Sequence, residues 1–269
     1  MKLIKPSYQI IEPTGYTIDN IYKSIELVGR VSHKSEDRIT EDSAKTFVEK
    51  MMKMKHLSTC EFGTVYLRID NSNDIVLVLN LNPYTKCKQV QDTCYVTTNL
   101  RVLIEHDAMW LLKYLCEPTE YHYKRYTVKF ICDRGILAEF TRHRKFSFMA
   151  ESSRYNNYSK DKFGNELTFI KPCWLTGGMK SNLTYLEWET TLQEIEKSYL
   201  MLTKNGWKAE EARSILPLSL KIELYMCGFA EDWEKFFELR CATNAHSQAR
   251  ELAIPLKEEF ISKNYLQLE

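Results

Sequence analysis

Two neighbouring polar segments carry the residues best suited to chemistry. The first runs from Arg142 to Ser147 and reads Arg-His-Arg-Lys-Phe-Ser, and the second runs from Glu151 to Tyr155 and reads Glu-Ser-Ser-Arg-Tyr. Guanidinium groups bind phosphate with paired hydrogen bonds, and serine hydroxyls with backbone N–H groups complete a cradle for an anion. If the second segment is extended, Ser152 and Arg154 share one face. The pattern therefore indicates a ligand with a phosphate and a polar ring.

A structural interpretation of the same cations stays open. Arginine and lysine at the C-terminus of a helix stabilise the helix dipole, and spacing alone does not decide between the two interpretations. Ser152 is a poor candidate for a hydrolase nucleophile, because no His and Asp accompany it at the spacing of a catalytic triad.

The eight cysteines are scattered along the chain and include no Cys-x-x-Cys pair. Paired spacing would indicate a zinc site or a redox dithiol. We therefore predict no metal site, and thiols that are reduced and mostly buried. The cysteines are Cys60, Cys87, Cys94, Cys116, Cys132, Cys173, Cys227 and Cys241.

Charge and hydropathy narrow the class of protein. Lys and Arg number 37 against 36 Asp and Glu, and 44% of the residues are hydrophobic. This balance gives no basic field for nucleic acid. The apolar runs are far shorter than a membrane helix needs, and the N-terminal residues lack the features of a signal peptide. We expect a cytoplasmic protein with a large core and neither nucleic acid nor membrane as a partner.

The elements that must position these segments follow from periodicity and turn chemistry. The predicted strands are Thr64–Ile69, Ile75–Leu81, Tyr121–Cys132 and Leu167–Ile170, with a turn at Asn71–Asp74 that makes a hairpin of the first two, and Asn82-Pro83 ending the second. The predicted helices are Ile21–Val28, a helix capped by Thr40 that runs through Met51, Leu103–Leu115, Ile136–His143, an amphipathic helix from Tyr185 to Leu202, one from near Pro217 through Tyr225, Trp233–Arg240, and Gln248–Tyr265 with a kink or break at Pro255.

These elements predict a single α+β domain over residues 1–269. Its central antiparallel or mixed sheet is flanked by helices, and its C-terminal half is helical. Gly177-Gly178 separates the strand-rich part from the long amphipathic helix, and no segment has the composition of a linker.

The two polar segments also match a known signature. Arg142-His143-Arg144 followed by Ser152-Ser153-Arg154-Tyr155 resembles the motif of the flavin-dependent thymidylate synthases. Other segments resemble further blocks of this family in the family's order. They are Lys34–Asp37, His56–Glu61, Tyr158–Glu166, Ala212–Pro217 and Leu239–Cys241.

The resemblance implies the thymidylate synthase-complementing fold and a specific reaction. The family makes thymidylate (dTMP) from deoxyuridylate (dUMP), taking carbon from 5,10-methylenetetrahydrofolate and reducing power from NADPH through FAD. It works without a protein cysteine adduct, as a homotetramer that shares active sites between subunits. Alternatives are a related flavin- and folate-dependent one-carbon transferase for another pyrimidine nucleotide, or a non-catalytic nucleotide- or RNA-binding protein that stacks bases on its tyrosines.

Roles for individual residues also follow from the resemblance alone. Arg240 is the implied catalytic residue, placed against the uracil to stabilise the ring deprotonated at N3. The implied dUMP-binding residues are Glu139, Phe140, Thr141, Arg142, Ala150, Glu151, Ser152, Ser153, Arg154, Arg213 and Arg240. The implied FAD- and folate-binding residues are His56, Ser58, Glu61, Arg142, His143, Arg144, Ala150, Phe229 and Lys235.

Two short segments depart from the family pattern. Met149 and Ala150 stand where many members carry polar residues. Phe229-Ala230-Glu231 stands where some members carry an Asn-x-Arg segment that reaches FAD. We therefore expect some contacts to the cofactor to be lost or supplied from elsewhere in the chain.

Overall fold

A computed structural model describes residues 1–70, 72–82, 84–175 and 183–266. The sequence-based predictions that involve Asn71, Pro83 and Gly177-Gly178 lie outside these residues. The described residues combine three separate sheets with helices packed against them, which confirms the predicted α+β class. No helix in this part of the chain is both long and apolar enough to cross a membrane.

The described strands form three sheets. They are β1 (Lys2–Ile4), β2 (Ser7–Ile11), β3 (Thr64–Ile69), β4 (Lys86–Val90), β5 (Thr93–Asn99), β6 (Arg125–Asp133), β7 (Ser147–Ala150), β8 (Thr168–Ile170) and β9 (Lys221–Phe229). The main sheet has four antiparallel strands in the order β2-β6-β9-β7. A second antiparallel sheet has the order β3-β5-β4, and β1 pairs with β8 in parallel.

The α-helices range from four to 22 residues in length. The described α-helices are α1 (Ile18–Gly29), α2 (Ser43–Lys53), α3 (Ser72–Leu79), α4 (Leu100–Glu105), α5 (Arg134–Phe140), α6 (Leu183–Lys204), α7 (Ala209–Ala212), α8 (Ala230–Arg240) and α9 (Ser247–Ser262). In α6 the predicted apolar stripe is confirmed, because Tyr185, Leu192 and Tyr199 are buried.

The largest core lies where α5, α8 and α9 pack on the main sheet. Trp233, Phe236 and Phe260 are completely buried there and pack against one another and against the sheet. Burying an aromatic side chain of this size contributes roughly 1.5–3 kcal/mol. These contacts fix the C-terminal end of α8, where Arg240 lies.

The helix predicted from near Pro217 through Tyr225 is wrong, because residues Lys221–Phe229 form β9, a central strand of the main sheet. Eight of its nine residues are buried. A strand covered on both faces lacks the alternation of apolar and polar residues that marks a half-exposed strand. The C-terminal half is therefore helical only in part.

The predicted hairpin with a second strand at Ile75–Leu81 is also wrong, since Ser72–Leu79 form α3. Ile75 and Val78 are buried three positions apart, which is helical spacing. The predicted helix Leu103–Leu115 is broken after α4 and continues as a 3₁₀ helix over Met109–Tyr114. Asp107, with φ of 51°, stands in the left-handed conformation that interrupts it.

The helix ends differ in two places. Thr40 does not cap α2, which begins at Ser43, although the N–H of Thr40 donates to Ser43 Oγ at 2.9 Å. Pro255 does not break α9, which continues through it. The expectation that all thiols are reduced is wrong for one pair, because a disulfide joins Cys87 on β4 to Cys94 on β5.

Candidate functional site

Arg240, Glu139 and His143 form one hydrogen-bonded cluster. Arg240 Nη1 donates to Glu139 Oε2 at 2.9 Å, and its Nη2 donates to the backbone carbonyl of Glu139 at 2.7 Å. Arg240 Nε donates to His143 Nε2 at 2.9 Å. Each nitrogen of the guanidinium therefore has a partner, which holds its plane in one orientation.

Two helices bring this cluster together. The carboxylate of Asp133 caps α5, accepting from the N–H of Ile136 at 2.7 Å. Phe140 at the end of α5 packs edge-on against Phe236 of α8, with ring centroids 5.0 Å apart. The C-terminal ends of α5 and α8 meet as a result, and Glu139 contacts Arg240.

The electrostatics of the cluster favour a charged arginine beside a neutral histidine. Burial, and then the neighbouring Arg240 guanidinium, lower the pKa of His143 to about 4. Burial also lowers the pKa of Arg240, while the carboxylate of Glu139 opposes this shift. An arginine keeps its proton at neutral pH. Arg240 therefore presents a fixed positive charge.

The segment from Glu151 to Arg154 is anchored at its first residues. Glu151 is buried, and its carboxylate accepts from Lys221 Nζ at 2.9 Å and from the Tyr158 hydroxyl at 3.2 Å. The N–H of Ser152 donates to the carbonyl of Ser32 at 3.1 Å. These contacts tie the segment to β9 and to the 3₁₀ helix Arg30–His33 that follows α1.

The end of the same segment contacts two helices. Arg134 Nη1, at the start of α5, donates to Ser153 Oγ at 3.2 Å. Arg154 is exposed and pairs with Glu210 of α7, Nε to Oε2, at 3.0 Å. The 3₁₀ helix Arg213–Ile215 directly follows α7, and Arg213 is exposed. Arg154 and Arg213 therefore lie on neighbouring elements.

Helix α5 connects the two groups of residues. Its first residue, Arg134, contacts Ser153, and its last turn carries Glu139 of the Arg240 cluster. A helix of this length, seven residues, spans about 10 Å. Of the sequence-predicted residues, Arg240, Glu139 and His143 meet directly, whereas Arg154 and Arg213 lie near the opposite end of α5.

A cavity of about 430 Å³ opens where the two antiparallel sheets approach each other. Three sequence-predicted cofactor residues line it: Glu61, Arg144 and Phe229. The aromatic residues Tyr84, Phe146, Phe148 and Phe229 also line it. The charged residues that line it are Arg101, Arg125, Arg144, Lys145, Glu61 and Glu105, so cations exceed carboxylates.

Other predicted residues lie outside the lining of this cavity. Phe140 has a completely buried side chain, so it has only its backbone to offer a ligand. Ala150 is half-buried in β7, beside Met149, which packs against a buried cluster that includes Val28 and Val31. Besides Arg154 and Arg213, the exposed predicted residues outside the lining are His56, Ser58, Thr141, Arg142 and Lys235.

The model of the thymidylate synthase complementing protein family matches residues 117–263, more than half of the chain. The chain belongs to this family. The resemblance drawn from the Arg-His-Arg and Ser-Ser-Arg-Tyr segments is thereby confirmed. The matched residues include α5, β7, β9 and α8, the elements that hold the Arg240 cluster and the Glu151–Arg154 segment.

Curated relatives of this member of the thymidylate synthase complementing proteins carry the name flavin-dependent thymidylate synthase. The one from Pyrococcus abyssi is 28% identical over 135 residues, which are 50% of this chain and 53% of the relative. A probable one from Paramecium bursaria Chlorella virus 1 is 29% identical over 143 residues, 51% of this chain and 66% of the relative. The chain thus spans between half and two thirds of these relatives.

A solved structure also resembles this family member. It is the UMP/dUMP methylase PolB from Streptomyces cacaoi, bound with 5-Br UMP. It superposes with a TM-score of 0.48 at 14% sequence identity, covering 97% of this chain and 92% of that chain.

The cavity of this thymidylate synthase complementing protein has the chemistry to accept part of a flavin nucleotide. Aromatic side chains such as Phe146 and Phe229 offer apolar surface, and the surplus of cations suits a diphosphate. The described residues contain no group of three or more His, Cys, Asp or Glu that could hold a metal ion.

Sequence reasoning missed two arginines of the cavity and one lysine that contacts the Glu151–Arg154 segment. Arg125 and Arg101 line the cavity, and Lys221 holds Glu151. Arg125 and Lys221 stand at the start of strands β6 and β9, so their only signal was a charge at the edge of an apolar run. That signal does not distinguish a functional residue from an ordinary strand end.

Proposed function

We propose that this chain is an FAD-dependent thymidylate synthase. It converts dUMP to dTMP with 5,10-methylenetetrahydrofolate as carbon donor and NADPH as reductant, and no cysteine acts as a nucleophile. The observation that carries the proposal is the fixed guanidinium of Arg240, held by Glu139 and His143 within the family's matched region. Residues 1–269 act as one domain in this proposal.

Arg240 has the role of binding and polarising the uracil. C5 of uracil is a poor nucleophile, so the ring must carry negative charge before carbon transfer. A guanidinium fixed in advance, next to the place where charge develops, lowers the energy of that charged ring without reorganising. Glu139 and neutral His143 orient Arg240, and neither competes with it as a cation.

In this proposal two exposed arginines bind the phosphate of the nucleotide. Arg154 and Arg213 lie on neighbouring elements, and Ser152 and Ser153 add hydroxyls to the same region. Arg154 exchanges its ion pair with Glu210 for the phosphate in this account. The remaining residues of the nucleotide set are Glu139, Phe140, Thr141, Arg142, Ala150 and Glu151, which contribute side-chain or backbone contacts.

The active site is completed by neighbouring copies in a homotetramer. Arg154 and Arg213 are exposed, and the length of α5 separates their region from Arg240. The resemblance to the flavin-dependent thymidylate synthases implies active sites shared between subunits, so in this proposal a second subunit supplies one of the two groups. We therefore expect an isolated monomer to be inactive.

The flavin lies in the cavity lined by Glu61, Arg144 and Phe229. Bound FAD supplies hydride transfer between NADPH and the carbon being reduced. His56 and Ser58 belong to the same family segment as Glu61, and His143 belongs to the same segment as Arg144. Lys235, Arg142 and Ala150 complete the predicted set of flavin- and folate-binding residues. The chain's own contribution is to hold these molecules beside the nucleotide and to exclude water.

Flavin and nucleotide binding test this function together. The purified protein is expected to be yellow, or to become so with added FAD, and dUMP should change the flavin absorbance spectrum. Deoxycytidylate is the matched control, because it carries the same phosphate and sugar with a different ring. A protein that remains colourless after reconstitution with FAD would contradict the proposal, and formation of a methylated cytosine nucleotide would indicate another one-carbon transferase.

A further inference from the structure

Arg125 is a buried arginine without a carboxylate partner. It begins β6 and is only 9% exposed, yet it forms no ion pair with any residue in the described part of the chain. Its guanidinium donates to three neutral acceptors. These are the Glu61 carbonyl at 3.2 Å, Thr64 Oγ1 at 3.2 Å and Ser147 Oγ at 3.4 Å.

A buried arginine without a carboxylate partner is expected to bind an anion. Removing a charged group from water is costly unless an opposite charge compensates it, and neutral hydrogen bonds offset only part of that cost. Arg125 lines the 430 Å³ cavity. It also borders a second cavity of about 70 Å³, which has room for no more than a few water molecules. The larger cavity is the one that can admit an anionic ligand.

The other cations of the larger cavity differ from Arg125. Arg101 is already neutralised, since its Nε donates to Glu105 at 2.8 Å and its Nη1 pairs with Glu61 at 2.5 Å. Arg144 and Lys145 are exposed at the rim. Arg125 is therefore the interior positive charge that the cavity's own carboxylates leave uncompensated.

Arg125 also lies beside a segment in which the sequence departs from the family pattern. Phe229 begins the segment that lacks the Asn-x-Arg of some family members. Arg125 pairs with Phe229 in the register of β6 and β9, and its guanidinium carbon lies 5.7 Å from the centre of the Phe229 ring. The neighbouring strand thus places an arginine beside Phe229, the first residue of that segment.

We propose that Arg125 binds an anionic group of the ligand that fills this cavity. That group is either a phosphate of the flavin nucleotide or the glutamate carboxylate of the folate, which share the chemistry of a guanidinium fork. The inference deepens the proposed function and rests on it. Arg125 is a binding residue here, with no part in the chemical step.

Direct binding measurements test this proposal. FAD and tetrahydrofolate are titrated separately into the wild-type protein, Arg125→Gln and Arg125→Lys, at several salt concentrations. Arg125→Gln is expected to weaken one of the two ligands by about tenfold or more, and Arg125→Lys should recover part of the loss because it restores the charge. The dependence of Kd on salt should be shallower in Arg125→Gln. Arg68→Gln is the matched control, because Arg68 is an exposed strand residue that contacts Asp70.

Each outcome of the binding measurements supports or overturns the proposed role of Arg125. Weakened FAD assigns the phosphate to Arg125, and weakened tetrahydrofolate assigns the carboxylate. Binding of both ligands to Arg125→Gln within twofold of Arg68→Gln would overturn the proposal. An equal loss for both ligands with an unchanged salt dependence would overturn it too, since it would show a purely structural role. If Arg125→Gln does not fold, the same comparison in Arg125→Lys decides. A wild-type protein that binds neither ligand would overturn the proposed function itself, and this inference with it.

Discussion

The Nε–H of Arg240 donates to Nε2 of His143 across 2.9 Å. An imidazole nitrogen that accepts a hydrogen bond carries no proton, so the contact requires neutral His143. The same arginine binds the side chain and carbonyl of Glu139. Arg240 therefore keeps His143 neutral, while His143 and Glu139 together fix the orientation of the guanidinium.

The first prediction concerns pH. The pKa of His143 is lowered from 6.5 to about 4 in the folded protein, by burial first and by Arg240 second. Between these pH values the unfolded chain binds more protons at this residue, so the free energy of unfolding falls as the pH is lowered from 6.5 towards 4. His143→Gln keeps an acceptor for Arg240 but does not titrate. Denaturant unfolding across this range should show a weaker pH dependence in His143→Gln; the same dependence in both proteins would contradict the assignment.

The second prediction concerns the fork of Arg240. Arg240→Lys keeps the positive charge but replaces the planar fork by a single nitrogen, which does not reproduce the three fixed hydrogen bonds to Glu139 and His143. We expect dTMP formation to fall about a hundredfold or more, as when a fixed donor is removed from other active sites. The measurement is the initial rate of dTMP formation, with circular dichroism to establish folding. Arg68→Lys is the control, and a well-folded Arg240→Lys with near-normal turnover would refute the role.

The third prediction separates binding from stability at Arg154. Its ion pair with Glu210 is exposed, and such pairs contribute about 0–1 kcal/mol to stability. Arg154→Ala should therefore leave the melting temperature nearly unchanged while weakening dUMP binding about tenfold or more. Lys197→Ala is the matched control, because Lys197 forms an exposed pair with Glu194 away from the candidate site. Calorimetric titration with dUMP makes the comparison, and equal affinity in both variants would remove Arg154 from the site.

The fourth prediction addresses the thiol next to Arg240. Cys241 directly follows the proposed catalytic arginine, and burial raises the pKa of its thiol. A protonated thiol is a poor nucleophile. Cys241→Ser should retain most of its dTMP formation, measured as for Arg240→Lys. A folded but inactive Cys241→Ser would contradict this prediction and would indicate a mechanism in which Cys241 forms a covalent adduct with the nucleotide.

The sequence could predict the polar segments and the elements with clear periodicity. The Arg142–Arg144 and Ser152–Tyr155 segments were recognisable because the signature is local, and α6 because its buried stripe follows helical spacing. The family match over residues 117–263 confirms the region in which the signature lies.

Other parts depended on tertiary context. The strand β9 is buried on both faces and gave no alternation, and the apolar run in α3 was too short for its period to decide. The charge of Arg125 at the edge of an apolar run did not mark it as functional, because its significance comes from its three-dimensional placement. A cavity, a neighbouring Phe229 and the lack of a carboxylate partner among the described residues are visible only after folding.

The most direct measurement is tritium release from deoxyuridylate labelled at C5, made on the assembled protein. The account predicts release and dTMP formation that require both FAD and methylenetetrahydrofolate, that persist in Cys241→Ser and that are lost in Arg240→Lys. The account would be contradicted if the fully reconstituted protein released no tritium. It would also be contradicted if release were lost in Cys241→Ser but persisted in Arg240→Lys.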